Sequence, residues 1–501
     1  MNRYPTVLRR VVTSICIFTG SLPSMLCAAE RVDSIRWNVE LNATSSVGHN
    51  TPFWLVNNLQ GLSSVEKNSG YVRLSAFHDM DTTRRFTWGA GVDVAVPWRY
   101  SSPFIVQQFY GEVKYRCLQA MLGSKEMWGC FNDPRLSSGN LLYSGNSRPI
   151  PQLRIGIFDY ADIWGLGGWL GIKGYLAFGA FTDERWQCSW VAPGNKRTER
   201  VLYHSKGLWL RNGNPSKFPL VFEAGIEMAT QFGGISYENG EVIHMPHSLR
   251  DWFKAVVPLK GDETTPGGEQ VNIQGNMVGN WNFCLSWMPK ADWSVKAYYE
   301  HFFEDHSMLY IDYRWRDGLW GVEATFPSNP FVSAFVYEFM TTRDQSGPLL
   351  NDTNDKIPEQ VSGKDNYYNH YIYSGWQHWG MGIGNPMVLS PIFNRDGNLY
   401  FRTNRIVGHH FGISGNPTSD LRYRVLFSYS RNWGTYDCPL EKEMDNLNAL
   451  AEVTWSPSKG KLRGWSGTFS VAGDAGPLLG RSLGFGVRIS RTGWFGFGRR
   501  K

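Results

Sequence analysis

The chain has 501 residues, with 50 basic side chains, 44 acidic side chains and a formal charge of +6. This excess is small and is not gathered into a basic stripe, which argues against nucleic acid as a partner. The mean hydropathy is −0.34. Beyond residue 29 no apolar run approaches the ~20 residues that a membrane-spanning helix requires, which excludes a helical membrane protein.

Residues 1–29 are organised like a secretory signal peptide. A basic start with three arginines leads into a short apolar run, which ends on the small residues Cys27, Ala28 and Ala29. The alternatives are an amino-terminal membrane anchor, for which the run is short, and lipid attachment at Cys27. Removing this segment takes away three positive charges and no negative charge, which lowers the formal charge to about +3.

The remaining residues, 30–501, are too many for one ordinary soluble domain, yet no linker, low-complexity tract or charge block divides them. Aromatic residues make up 15% of the chain, which also contains 54 glycines. A large outer-membrane β-barrel would explain these observations, because it uses one long chain, has aromatic girdles at both membrane interfaces and makes many turns. We therefore expect a single barrel domain over 30–501.

Alternation of apolar and polar side chains is the strongest pattern in this region. In segment 86–96, Phe86, Trp88 and Val92 lie on one face and Asp93 lies on the other. The same alternation recurs in segments 220–228, 421–431, 465–471 and 483–489. A soluble sandwich also alternates, but these polar faces carry charged residues, and the segments run to about 9–13 residues, enough to cross a bilayer. With about 17 or 18 such segments, we predict an all-β fold, a transmembrane antiparallel β-barrel of about 18 strands with short accessory helices.

Two short helices are predicted as loop insertions, near residues 51–60 and 248–257. Pro52 suits the first position of the first helix. Ser248 and Asp251 resemble a capping box at the start of the second, and apolar residues follow at helical spacing. We favour packing of these helices against one end of the barrel over an arrangement in which they narrow or plug the lumen.

Long loops are expected near 184–201, 233–272 and 343–378, although the strand count does not assign each loop to a side of the membrane.

Cys117 and Cys130 could form a disulfide across a loop, or both could be free thiols. The cysteines of the mature chain lack the spacing of a metal site. We therefore expect no metal site.

Several stretches spread over the mature chain resemble Wzi-type capsule-assembly outer-membrane proteins, in the form found in the Bacteroides group. The clearest reads NDPRLSSGN at 132–140 and continues as YSGNSRPIPQ at 143–152. The others are DNYYNH at 365–370, GWQH at 375–378, GNP at 384–386, NR at 404–405, the histidine pair and glycine within 409–412, and NWGTY at 432–436.

The resemblance implies a monomeric outer-membrane barrel of about eighteen strands that holds capsular polysaccharide or exopolysaccharide at the cell surface. It also implies lectin-like behaviour without a cofactor. Outer-membrane lipid, including lipopolysaccharide, and the barrel-assembly machinery are the further partners expected of such a protein. An outer-membrane diffusion channel or transporter is the alternative, and it is motivated by the number of strands alone.

Candidate contacts for polysaccharide lie in two stretches. Sugars bind flat aromatic faces through their C–H groups and planar polar side chains through their hydroxyls. The aromatic stretch 365–379 contains the candidates Tyr367, Tyr368, His370, Tyr371, Trp376 and Trp379. In the stretch 132–152, Arg135 and Arg148 could pair bidentately with acidic sugars or with phosphates. The alternatives are an interfacial aromatic girdle with ordinary loop packing, and turn chemistry around the arginines.

No enzymatic activity is expected. Carboxylates are plentiful, but none forms a recognisable catalytic pair, and a barrel hydrolase would need a serine–histidine arrangement that one sequence cannot show. The sequence therefore predicts a non-enzymatic, lectin-like barrel that attaches or organises surface polysaccharide, without identifying the polymer.

Overall fold

The computed structural model describes residues 34–163, 165–271, 273–305, 317–345 and 365–496, and the expected signal peptide lies outside these ranges. Within them, eighteen antiparallel strands form one sheet that closes on itself, because the last strand pairs with the first along its whole length. This architecture confirms the expected barrel of about 18 strands. In chain order the strands are β1 (Ser34–Gly48), β2 (Asn68–His78), β3 (Phe86–Trp98), β4 (Ile105–Tyr115), β5 (Leu118–Ser124), β6 (Gln152–Asp162), β7 (Leu170–Ala180), β8 (Leu202–Asn212), β9 (Leu220–Phe232), β10 (Asn276–Lys290), β11 (Trp293–Glu304), β12 (Gly318–Thr325), β13 (Ala334–Thr341), β14 (Ile406–Gly415), β15 (Leu421–Gly434), β16 (Pro439–Trp455), β17 (Trp465–Ala475) and β18 (Ser482–Gly496).

The connections between the strands contain short elements. The α-helices are α1 (Glu184–Trp190), α2 (Leu249–Val256) and α3 (Gly267–Val271), and two 3₁₀ turns span Phe53–Leu55 and Pro391–Phe393. Three short strands, Arg197–Glu199, Ile235–Glu238 and Glu241–His244, form a small sheet, and Gln377–His378 pairs with Met381–Gly382.

In the described part of the chain, no helix combines the length and apolar character needed to cross a bilayer. Cys117 and Cys130 are both free thiols.

The strands turn their apolar faces outward and their polar faces inward, which is the reverse of a soluble protein. In β3 the side chains of Phe86, Trp88 and Val92 are 61%, 50% and 45% exposed, whereas Asp93 is fully buried. Such an extensive exposed apolar surface is stable only against another apolar phase. The outer face is therefore the lipid-facing surface, and the polar inner face lines the lumen.

The two ends of the barrel differ in the length of their connections. At one end, which we call the short-turn rim, the connections range from the two-residue turn 116–117 to the segment 456–464, and β1 begins and β18 ends there. The opposite end carries the longer connections, among them 181–201 and 233–275, and we call it the long-loop rim. This asymmetry is typical of outer-membrane barrels.

Three loops of the long-loop rim fold back into the lumen and form what we call the plug: L1 (49–67), L2 (125–151) and the described parts of L3, 342–345 and 365–405. Phe53 and Trp54 of L1 share one buried apolar cluster with residues of L2, L3 and the barrel wall. The predicted first helix is thus reduced to a 3₁₀ turn, and it lies inside the lumen rather than against one end of the barrel.

Glutamates of the barrel wall accept the hydrogen bonds that the backbone of L2 would otherwise lack. Glu338 of β13 accepts from Ser138 N at 2.7 Å and from the hydroxyls of Ser137 and Ser138 at 2.6 Å. Glu300 of β11 accepts from two consecutive backbone N–H groups, beginning with Leu141, at 2.8 and 3.2 Å. A loop buried in a barrel cannot reach bulk water, so each of its donors needs such an acceptor.

The three loops are also joined to one another. Ser144 N of L2 donates to Ile383 O of L3 at 2.9 Å, and Gln60 N of L1 donates to Gly145 O of L2 at 2.6 Å. Apolar side chains of the plug pack against wall strands from β2 round to β17. The plug is therefore one hydrogen-bonded body that spans the lumen.

Glu338→Ala should loosen L2 without disrupting the strands of the barrel wall. The substitution leaves the donors of Ser137 and Ser138 and the Tyr298 hydroxyl, which lies 2.6 Å from Glu338, without their acceptor. We expect the plug to lose roughly 3 kcal/mol or more, measured as faster proteolysis and hydrogen exchange in 125–151. Glu338→Gln should have a smaller effect, because the amide oxygen still accepts. Equal protection of L2 in Glu338→Ala and in the exposed control Glu443→Ala would contradict the prediction.

Candidate functional site

Three of the predicted sugar contacts lie in the core of the plug. Tyr367 and Tyr368 are 1% exposed and Trp376 is fully buried. The two tyrosine rings pack edge-on against Phe302 of β11, and Trp376 Nε1 donates to Leu142 O at 2.9 Å. A sugar finds no accessible aromatic face here, so the assignment of these three residues to polysaccharide contact is corrected: they hold the plug together.

Trp379 and Arg148, by contrast, come together as an aromatic–cation pair. The Arg148 guanidinium carbon lies 4.3 Å from the centroid of the Trp379 ring, and Arg148 Nη2 donates to Ser101 Oγ at 2.7 Å. Burial lowers the pKa of Arg148 to about 10, which leaves it a cation at neutral pH. Its Nε is buried without a hydrogen-bond partner among the described residues.

The backbone of Trp379 is fixed by Asp183, the residue that precedes helix α1. Asp183 Oδ2 accepts from Trp379 N at 3.1 Å and from the side-chain amides of Gln187 and Gln377 at 3.1 and 3.3 Å. Trp379 has a φ of 58°, a left-handed conformation that costs a non-glycine residue roughly 1–2 kcal/mol. Such a conformation persists where the surrounding contacts over-determine it, so the indole is held in one orientation.

Helix α1 contributes two tryptophans that the sequence analysis missed. Trp186 and Trp190 stack with their ring centroids 5.2 Å apart, and Trp186 lies 6.1 Å from Trp379. Their four-residue spacing places both on one face of a helix, and that spacing was the available signal. We call Arg148, Trp186, Trp190 and Trp379 the rim cluster; Trp190 and Trp379 are half-buried and keep accessible ring surface.

His370 and Tyr371 belong to a second group, built on Glu269 of helix α3. Tyr371 is 49% exposed, and its hydroxyl donates to Glu269 Oε1 at 3.0 Å. His370 stacks on Tyr371 with a centroid distance of 4.8 Å, and its Nε2 lies 3.7 Å from the same carboxylate oxygen. Burial raises the pKa of Glu269 to about 7, and burial together with Lys196 lowers the pKa of His370 to about 3.

Arg135 is separated from Arg148 by the length of L2. It lies near the tip of the loop, where Asp133 N donates to Glu323 near the short-turn end of β12 at 3.1 Å. Its side chain is 54% exposed, and its Nη2 lies 3.4 Å from Asp133 Oδ2. The structure thus brings Trp379 and Arg148 together, pairs His370 with Tyr371, and places Arg135 in the other half of the lumen.

A Gly-x-Ser-x-Gly pattern occurs at residues 480–484. In hydrolases this pattern forms a sharp strand-to-helix turn that exposes the serine. Here Ser482 is instead the first residue of strand β18, and its Oγ accepts a hydrogen bond from Asn50 N at 3.2 Å. The serine therefore connects L1 to the wall.

No family model and no curated protein matches the sequence. Among solved structures, the fold is similar to that of Wzi of Escherichia coli, described as an outer-membrane protein involved in group 1 capsule assembly and as a carbohydrate-binding β-barrel. The two are 13% identical over 98% of this chain and 89% of that chain, with a TM-score of 0.56. The chain is an outer-membrane β-barrel. It is also similar to Pseudomonas aeruginosa OpdL (9% identity, 92% and 99% coverage, TM-score 0.47) and OprD (9% identity, 92% and 95% coverage, TM-score 0.45).

The pair formed by Glu269 and His370 predicts compensating pH effects on the segment around α3. Glu269 has a raised pKa, so its contribution to stability is present below its ordinary pKa of 4.5 and is lost as pH rises towards 7. His370 has a lowered pKa, so its contribution is present above its ordinary value of 6.5 and is lost as pH falls towards 3. The two changes oppose each other between pH 5 and 7.

Hydrogen exchange of residues 261–270 should therefore show an opening equilibrium that is nearly flat between pH 5 and 7. In His370→Gln the opening constant should rise about tenfold or more as pH rises over this interval, and in Glu269→Gln it should fall by a similar factor. The same pH dependence in both variants would contradict the assignment.

Proposed function

We propose that this protein is a non-enzymatic, lectin-like barrel that attaches or organises capsular polysaccharide or exopolysaccharide at the cell surface. The observation that carries the proposal is the rim cluster, in which the half-buried indoles of Trp190 and Trp379 are held by helix α1 and the plug, and the buried guanidinium of Arg148 lies beside Trp379. Indole faces suit the C–H faces of sugar rings, and a guanidinium suits hydroxyl or carboxylate oxygens. The fold likeness to a carbohydrate-binding barrel is consistent with this role.

The proposed site faces the outside of the cell. Outer-membrane barrels expose their long loops to the exterior and their short turns to the periplasm, and every residue of the rim cluster belongs to a connection of the long-loop rim. Arg148 ends L2, Trp379 belongs to L3, and helix α1 lies in the connection 181–201. A polymer at the cell surface would meet Trp190 and Trp379 first, with Arg148 and Trp186 buried behind them.

The plug favours this role over that of a diffusion channel, the alternative function. Hydrogen bonds join L1, L2 and L3 across the lumen, and wall glutamates fix L2 on the inside. A permeation pathway through the plug would have to displace these bonds. We further propose that the barrel acts as a monomer, with outer-membrane lipid, including lipopolysaccharide, around its apolar belt, and that the barrel-assembly machinery inserts it.

Trp379→Ala should weaken binding to the producing cell's own surface polysaccharide about tenfold, because an anchoring aromatic contributes at least 1–2 kcal/mol to binding. The measurement is titration of purified, detergent-folded protein with that polysaccharide and with an unrelated glycan. The matched control is Trp433→Ala on β15, where Arg343 covers an indole in the same way at 4.6 Å. Equal losses in the two variants, or no binding by the wild type, would refute the proposed site.

In planar bilayers the wild-type protein should be nearly silent at neutral pH, because the plug spans the lumen. Glu338→Ala should raise the frequency of brief openings, since L2 then loses a wall acceptor. A large, steady conductance in the wild type would instead favour the channel.

A further inference from the structure

The lumen next to the short-turn rim is lined by arginines separated by small hydroxyl side chains. One inward-facing row crosses β15, β16, β17, β18 and β1, and its members are Arg422, Thr454, Thr468, Arg488 and Asn42. Neighbouring strands are about 4.8 Å apart, so three strand steps place the two arginine backbones about 14 Å apart, with two threonines between them. Long guanidinium side chains can reach over this gap from both sides.

The positions beside this row are small as well. Ser470 pairs with Gly486 on the side of the plug, and Ser466 pairs with Ser490 on the side of the short-turn rim. The hydroxyls of Thr454 and its cross-strand neighbour lie 3.0 Å apart, and each oxygen keeps hydrogen-bonding capacity for a further partner. The wall is therefore shallow and polar between the two arginines.

Two nearby arginines are already paired with acids. Arg424 binds both carboxylate oxygens of Glu452, at 2.9 and 3.3 Å, and its Nη1 donates to Arg135 O at 2.9 Å. Arg135 itself lies against Asp133 at 3.4 Å. These contacts fix the two cations in place and engage two of the nearby carboxylates, those of Glu452 and Asp133.

Among the described residues, neither Arg422 nor Arg488 donates a hydrogen bond to a carboxylate in this way. In the described part of the chain the Arg422 side chain has no hydrogen bond or ion pair. Arg135, Arg424 and Arg488 lie near it, and so does Glu452, which Arg424 already binds. Arg488 forms a long ion pair with Glu40, with 4.0 Å between Nε and Oε1, and its Nε is buried without a hydrogen-bond partner. Like charges gathered in this way are stabilised when an anion sits between them.

We propose that Arg422 and Arg488 form a second, inner binding site for an anionic sugar, with the carboxylate of a uronic acid residue between the two guanidiniums. The threonine and serine hydroxyls of the shallow wall then face the sugar hydroxyls. This site shares no residue with the rim cluster and lies in the half of the lumen that faces the periplasm. The choice of a saccharide as ligand rests on the proposed function, whereas the anion site rests on the arginines.

The test is titration of the full-length, detergent-folded protein with a short oligogalacturonate, with a neutral malto-oligosaccharide of the same length and with inorganic phosphate. The variant is Arg422→Gln/Arg488→Gln. The matched control is Arg431→Gln on the same strand, whose guanidinium is half exposed and already paired with Asp445. Heat-modifiable migration on gels verifies that each variant forms a closed barrel.

We expect the wild type and the Arg431→Gln control to bind the oligogalacturonate equally, and the double variant to bind it about tenfold or more weakly. Added salt should weaken wild-type binding. Unchanged affinity in the double variant, absence of binding in the wild type, or equal affinity for the neutral oligosaccharide or for phosphate would overturn the proposal. The Trp379→Ala variant separates the two sites: it should retain oligogalacturonate binding here even if the rim site proves wrong.

Discussion

Backbone N–H groups buried in a lumen have no bulk water to bond, and the rest of this structure depends on how that demand is met. The wall supplies carboxylates at the required positions: Glu338, Glu300 and Glu323 each accept from the backbone of L2. An unpaired buried donor costs about 1–3 kcal/mol, so these contacts select one position for the loop. With L2 fixed, L1 and L3 have a surface on which to pack.

The geometry of the rim cluster depends on that packing. Arg148 lies at the end of L2 and Trp379 lies in L3, so their 4.3 Å contact exists only because the two loops share a buried core. The residues that first look like binding residues, Tyr368 and Trp376, belong to this core. They position the loops that carry the rim cluster, whose members are less conspicuous in the sequence.

The sequence identifies the wall better than the plug, for a physical reason. Alternation in 86–96 survives because lipid outside and a polar lumen inside impose opposite demands on successive residues. The side chains of a loop that folds into the lumen do not alternate in this way, so the spacing of its residues does not predict which of them are exposed. L2 is rich in serine, asparagine and glycine, which suggests turns at a surface, and its partner glutamates lie far away in the chain. Trp186 and Trp190 were recognisable by their spacing. Their association with Trp379 was not, because it depends on the hydrogen bond from Trp379 N to Asp183, two residues that are distant in the sequence.

The seam between β1 and β18 closes the barrel with strands from opposite ends of the described chain. L1 follows β1 directly, and Phe53 N of this loop donates at 2.9 Å to Asp474 of β17, the strand next to the seam. A barrel that sealed with L1 outside would leave this carboxylate without its backbone donor, and Phe53 and Trp54 without their apolar surroundings. Closure of the wall and filling of the lumen therefore stabilise each other, because the contacts of L1 reach the strand beside the seam.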